Sequence, residues 1–202
     1  VTSGTVRALE IDAMTARTTS LLTDPQPHSH IVYPCADETL IGEAVVTFAS
    51  AGLRKGDAVI LVTTKARREL IEDRLTEESF DVKELQTIGQ LAFIDAGSML
   101  SEIVVDGSPD AAKFKRAVER VIDRAASGDH AQRNVRIFGE MVSLLYGVNK
   151  IPAAEKLEEF WNQLVASRSI SLFCAYSLVL HAPSPFPQSP IDAHTNTIDS
   201  SD

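Results

Sequence analysis

The chain has 202 residues, 44% of them hydrophobic, 23% charged and 6% aromatic, enough for one globular domain with flanking tails and unlike a disordered chain. Its formal charge of −9, from 19 basic and 28 acidic side chains, would repel phosphate backbones and anionic lipid surfaces, so neither nucleic acid nor a membrane is an expected partner. No apolar run reaches the roughly 18 residues of a membrane span and the first residues lack a secretory pattern, which makes a cytoplasmic protein the expectation.

Residues 1–29 read as an N-terminal arm, weakly amphipathic and then broken by "TDPQPHSH". From residue 30 short apolar runs alternate with helical periodicity, the pattern of βα units around a mostly parallel sheet. "HIVYP" is the first strand. Leu40, Ile41, Ala44, Val45, Phe48 and Ala49 then recur on one helix face, and Gly52 is placed to end that helix in a left-handed cap. "DAVILVTT" is a strand buried on both faces, and residues 65–78 give a helix with Leu70, Ile71 and Leu75 inward. "QLAFIDA" is the third strand, with a short helix in "SMLSEIVV". After the turn signal "DGSPD", Phe114, Ala117, Val118, Val121, Ile122 and Ala125 form one face of a further helix.

"NVRIFGE" is the fourth strand, leading into the helical "MVSLLYG". Pro152 opens a helix with Leu157, Phe160, Trp161 and Leu164 inward, and "SISLFCAYSLVL" is the last core strand. The core domain therefore spans 30–180, and the proline- and serine-rich residues 181–202 are expected to be a disordered tail. The fold class is α/β: three layers, with a mostly parallel sheet between helices.

In open parallel sheets ligands sit outside the carboxyl ends of the strands, where loops and helix N-termini converge. That end should carry Cys35 to Thr39 after the first strand, Thr63, Thr64 and Lys65 after the second, Asp95 after the third, and Gly139 and Glu140 after the fourth. A phosphate-binding loop needs glycines whose N–H groups face the phosphate, a lysine and a hydroxyl for magnesium. "PCADET" supplies only Thr39, and puts Asp37 and Glu38 where phosphate would want positive charge. There is no working P-loop, and hydrolysis by that route is not expected. Asp37 and Asp95 also suit plain helix capping. Trp161 and Phe160 suit the core, and the charged run "KARRELIEDR" suits a solvated helix face. His28, His30 and Cys35 invite a metal reading, but no second His or Cys cluster accompanies them and no metal site is expected. Cys35 and Cys174 read as reduced thiols, Cys174 as a small buried hydrophobe.

The strings "HIVYPCADETL", "LAFIDAGSMLSEIVVDGSPDAAKF", "VRIFGEMVSLL", "AAEKLEEFWNQL" and "SLFCAYSL", in that order, closely resemble the MEDS domain, the methanogen/methylotroph DcmR sensory domain, from about His30 to Ser177. The resemblance implies a RecA/KaiC-like fold that has lost its nucleotide machinery and senses small organic molecules, alone or joined to kinase, PAS or DNA-binding modules. Tyr146, where the family leads us to expect tryptophan, and Ser177, where it leads us to expect proline, are mild departures. His30, Tyr33, Asp95, Arg136, Glu140, Trp161 and Tyr176 lie in the matching motifs. With Asp37, Thr39, Thr64 and Lys65 at the strand ends, they make up the candidate ligand site; no catalytic residue carries over.

The expected function is a non-enzymatic sensory module. It would bind a small ligand at the strand ends and signal to a protein partner such as a histidine kinase or a transcription regulator, or through a homo-oligomer. The segment "MVSLLYGVNKIP", broken by glycine, asparagine and proline, is the expected mobile element. No cofactor is fixed by the sequence; the ligand is a small organic molecule or a nucleotide. In the alternative readings, adenine occupies the inherited cleft with Lys65 or Arg136 on its phosphates, or side chains fill the cleft and the protein is an interaction scaffold.

Overall fold

The computed structural model describes residues 17–127, 133–177 and 196–198. In chain order the elements are β1 (Ser29–Cys35), α1 (Glu38–Lys55), β2 (Ala58–Thr63), α2 (Lys65–Glu77), α3 (Val82–Thr87), β3 (Leu91–Asp95), α4 (Ala96–Ile103), β4 (Val104–Val105), β5 (Ser108–Pro109), α5 (Ala111–Ala126), β6 (Val135–Gly139), α6 (Met141–Gly147), α7 (Ile151–Ser167), β7 (Ile170–Ser177) and β8 (Asn196–Thr197). The main sheet has the order β3-β2-β6-β7-β1-β8 and every pairing in it is parallel.

Strands β1, β2, β6 and β7 are buried along their whole length, which is why they read as continuous apolar runs and not as alternation. Side chains from α1 and α2 pack on one face against Ile31, Tyr33, Val59, Leu61, Phe138 and Phe173. Those of α4 to α7 cover Val32, Ile60, Val62, Ile137, Leu172 and Cys174 on the other. The expected three-layer α/β architecture is the observed one. The short antiparallel β4–β5 pair turns through Asp106 and Gly107, both at positive φ (48° and 81°), the backbone that an Asp-Gly hairpin turn requires.

Two expectations are corrected, at Gly52 and at residues 196–198. Helix α1 does not stop at Gly52: it continues to Lys55 and is capped by Gly56 at φ 81°. Gly52 is a helical position kept free of a Cβ because the Arg136 side chain lies against it, 2.7 Å from where a Cβ would stand. The arm is docked at its far end: residues 17–23 are helical, Leu22 is buried, and Arg136 donates to the carbonyls of Leu22 (3.0 Å) and Thr23 (3.2 Å). Nor are residues 196–198 a loose tail. β8 adds to the β1 edge, Ile198 is buried, and its N–H donates to the Val32 carbonyl at 2.9 Å. The remaining residues of the expected arm and tail fall outside the described ones.

Candidate ligand-binding site

Glu140 ends up at the carboxyl edge of the sheet because its N–H donates to the Val62 carbonyl at 2.9 Å, carrying the β2–β6 ladder one residue past the strand. Its carboxylate is 9% exposed and accepts from four donors. The Thr63 hydroxyl, the Thr64 N–H (2.7 Å) and the Thr64 hydroxyl (3.3 Å) converge on Oε2, and Arg67 Nε donates to Oε1. Arg67, in the first turn of α2, reaches with its other arm to Glu38 at 2.6 Å. The cluster thus ties together the segments that follow β1, β2 and β6.

Burial alone would lower the Arg67 pKa, but the charges and hydrogen bonds of Glu140 and Glu38 outweigh it and raise it. Burial pushes the Glu38 carboxyl up, yet the Ser177 hydroxyl and Arg67 together hold it below its usual range. The guanidinium is therefore a fixed cation between two anions, and the trio carries one net negative charge.

Beside this cluster lies a cavity of about 530 Å³, within the size range of small-molecule sites. Glu38, Thr64, Arg67, Glu140 and Ser143 give it a polar wall; Ile41, Leu70, Leu144, Val148 and Ala175 give it an apolar one. A cavity of about 630 Å³ flanks β3 between α4 and α5. There Asp95 is used as a helix cap, accepting from the Ser98 N–H at 2.7 Å, and no buried charged cluster accompanies it.

Of the eleven candidate residues, Thr64 and Glu140 share the 530 Å³ cavity. Asp37 caps α1, accepting from the Thr39 N–H at 2.8 Å, and Thr39 faces the groove between α1 and α2. Lys65 is 86% exposed and pairs with Glu69 at 3.8 Å. Tyr33 is buried against α1. Trp161 is a core residue, edge-on to Phe114 with centroids 5.0 Å apart. Arg136 points to the opposite end of the sheet, where its Nε donates to Asp57 at 2.7 Å; it cannot reach a ligand at the strand ends.

His30 and Tyr176 lie inside the layer between the sheet and α7. His30 Nδ1 donates to Asn162 at 2.7 Å and its Nε2 lies 3.3 Å from Cys174 Sγ. The Tyr176 hydroxyl donates to Glu158, a carboxyl that burial pushes up to about 8. The grouping of His28, His30 and Cys35 does not form: His28 donates to the Val165 carbonyl at 2.8 Å, and Cys35 belongs to the α1 face.

Arg67 is the residue that sequence reading missed. It stands in a run of alternating charges that looks solvated from end to end, and only its place in the first turn after a strand end marks it out.

A parallel sheet in this order, flanked by helices, with a polar cluster at the strand ends, defines a three-layer α/β protein. Among solved structures the chain is similar to a KaiC-like protein from the hyperthermophilic archaeon Pyrococcus horikoshii OT3, with a TM-score of 0.50 and 15% identity, covering 76% of this chain and 68% of that one. Residues 29–185 match the family described as MEDS, MEthanogen/methylotroph, DcmR Sensory domain, and the chain belongs to that family of sensory domains. No curated protein matches it. Among the described residues no helix is long and apolar enough to cross a membrane.

Proposed function

We propose that the protein is a non-enzymatic cytoplasmic sensor that holds a small, uncharged or cationic organic molecule in the cavity beside Glu140 and Arg67. The observation that carries this reading is the pairing of that cavity with a carboxylate whose Oε2 is crowded by Thr63 and Thr64 and whose Oε1 is held by Arg67. Such a carboxylate is a poor general base, since a base needs an accessible lone pair near the substrate proton. The group left to meet a ligand is Glu38, whose side chain is 49% exposed. The net negative wall disfavours phosphates, and Lys65 faces away from the cavity, so a nucleotide fits the site poorly.

Helix α6 and the loop after it supply Ser143, Leu144, Gly147 and Val148 to the cavity wall. A ligand that favours one placement of this short helix would shift the surface offered to a partner protein, by the differential affinity it has for the two placements.

The test is a thermal-shift screen of the full chain against small alcohols, amines and halogenated hydrocarbons, with magnesium nucleotides alongside. A melting-temperature rise with one of the organic compounds, lost in Val148→Trp, supports the reading; Val148 is 65% exposed, so the substitution fills the cavity mouth without burdening the core. A rise with nucleotide alone, or no rise with any organic compound, removes it.

A further inference from the structure

We propose that His30, Glu158 and Cys174 form a buried binding site for a divalent transition metal of zinc type. The three residues come from β1, α7 and β7, inside the layer between the sheet and α7 and outside the lining of the cavity, and each is almost wholly buried. One ligand atom from each lies within 4.8 Å of the others. His30 Nε2 is 3.3 Å from Cys174 Sγ and 3.7 Å from Glu158 Oε2. Tetrahedral zinc with bonds of about 2.0–2.3 Å places an imidazole nitrogen roughly 3.5 Å from a thiolate and roughly 3.3 Å from a carboxylate oxygen, so both edges of the triangle at His30 lie within about 0.4 Å of the lengths a bound ion would impose. The third closes by a side-chain adjustment.

The shell around the three is also that of a metal centre. Ligating histidines are usually held by a hydrogen bond at the other ring nitrogen. Here Nδ1–H donates to Asn162 Oδ1 at 2.7 Å, which leaves the Nε2 lone pair aimed at the thiol and the carboxyl. The Tyr176 hydroxyl holds the second oxygen of Glu158. A divalent ion with one thiolate, one carboxylate and one neutral imidazole sums to zero charge, the arrangement that makes burial of an ion least costly. A hydrogen-bond chain serving only to pin β1 to α7 would not need three different metal-ligand types converging on one point. Because the site is sealed, the ion would enter while the chain folds and displace the thiol and carboxyl protons.

The probe is Co²⁺, supplied during refolding of the full, tag-free chain from denaturant with reductant, followed by desalting. The expected product holds one cobalt per chain and shows a thiolate-to-cobalt charge-transfer band in the near ultraviolet, which is absent when an equal amount of Zn²⁺ is present during the refolding. The sequence has two cysteines, so retention of the band in Cys35→Ser assigns it to Cys174 even if Cys174→Ser folds poorly. Asn162→Ala, which frees the imidazole, should weaken cobalt binding by roughly tenfold or more. Wild-type protein that refolds to its native circular dichroism without retaining cobalt overturns the site, as does a band that disappears in Cys35→Ser while that variant stays folded.

Discussion

Arg67 and Glu140 join the first turn of α2 to the end of β6, the guanidinium Nε donating to Oε1 of a carboxylate that is 9% exposed. Removing the cation leaves a buried anion with only hydroxyl and amide donors, which costs more than losing a surface pair. Arg67→Ala should lower stability by about 2 kcal/mol in urea unfolding. Arg68→Ala, whose i,i+4 pair with Glu72 is 44% exposed at the arginine, should cost less than about 0.5 kcal/mol. Arg67→Lys should recover only part of the loss, because one ammonium does not reproduce the fork that reaches both Glu140 and Glu38. Equal effects at positions 67 and 68 would remove Arg67 from the site.

The contrast between these adjacent arginines also shows how far the sequence could be read. The four fully buried strands and most helices between them were legible because burial on both sides leaves an unbroken apolar run, and a helix against a sheet leaves a 3.6-residue stripe; α3, which buries no residue, left none. Glu140 was legible because the topology puts a residue after a strand at the ligand-binding end. Arg67 was not: its partner is set by the β2–β6 pairing, which no local pattern encodes. The same holds for His30, Glu158 and Cys174, which three separate elements bring together. β8 escaped for another reason, since two polar residues and one isoleucine give no strand signal until the β1 edge is there to pair with.

Gly52 and Arg136 make a second long-range relationship with a measurable sign. In an open helix Gly→Ala is stabilising by up to about 1 kcal/mol. At Gly52 a new Cβ would meet Arg136 Cδ at 2.7 Å and Val59 Cγ2 at 3.0 Å. Arg136 cannot swing aside without breaking its bond to Asp57 and those to the carbonyls of Leu22 and Thr23. Gly52→Ala should therefore destabilise by about 2 kcal/mol. Gly147→Ala, with nothing within 4 Å of the added carbon, should be neutral or stabilising. Calorimetric melting of the two variants decides it, and a stabilised Gly52→Ala would contradict the packing described here.

The docked end of the chain can be tested at Ile198. Its side chain is buried with the α1-face cluster and its N–H is bonded to Val32. Ile198→Ala should cost about 2 kcal/mol, the lower end of the range for a buried isoleucine because the strand is short and at an edge. The Ile198 amide should also exchange with solvent far more slowly than a free peptide. Exchange at the free rate would mean that β8 is not formed in solution.

Glu158 gives the metal-free protein an unusual pH dependence. Its carboxyl rises from 4.5 to about 8, by burial, among His30, Cys174, Tyr176 and Tyr146 on the elements that surround it. Between pH 4.5 and 8 the folded protein keeps a proton that the unfolded chain releases. Stability must fall as pH rises through that window, by up to a few kcal/mol, and the contribution is fully present only below the unfolded-state pKa. In the presence of a chelator the wild-type melting temperature should decline from pH 5 to pH 8, and Glu158→Gln, uncharged throughout, should lose most of that slope. If zinc is added during refolding, the carboxylate becomes a ligand, its proton is no longer required, and the wild-type slope should flatten as well. A decline of equal steepness in wild type and Glu158→Gln would place the titrating group elsewhere.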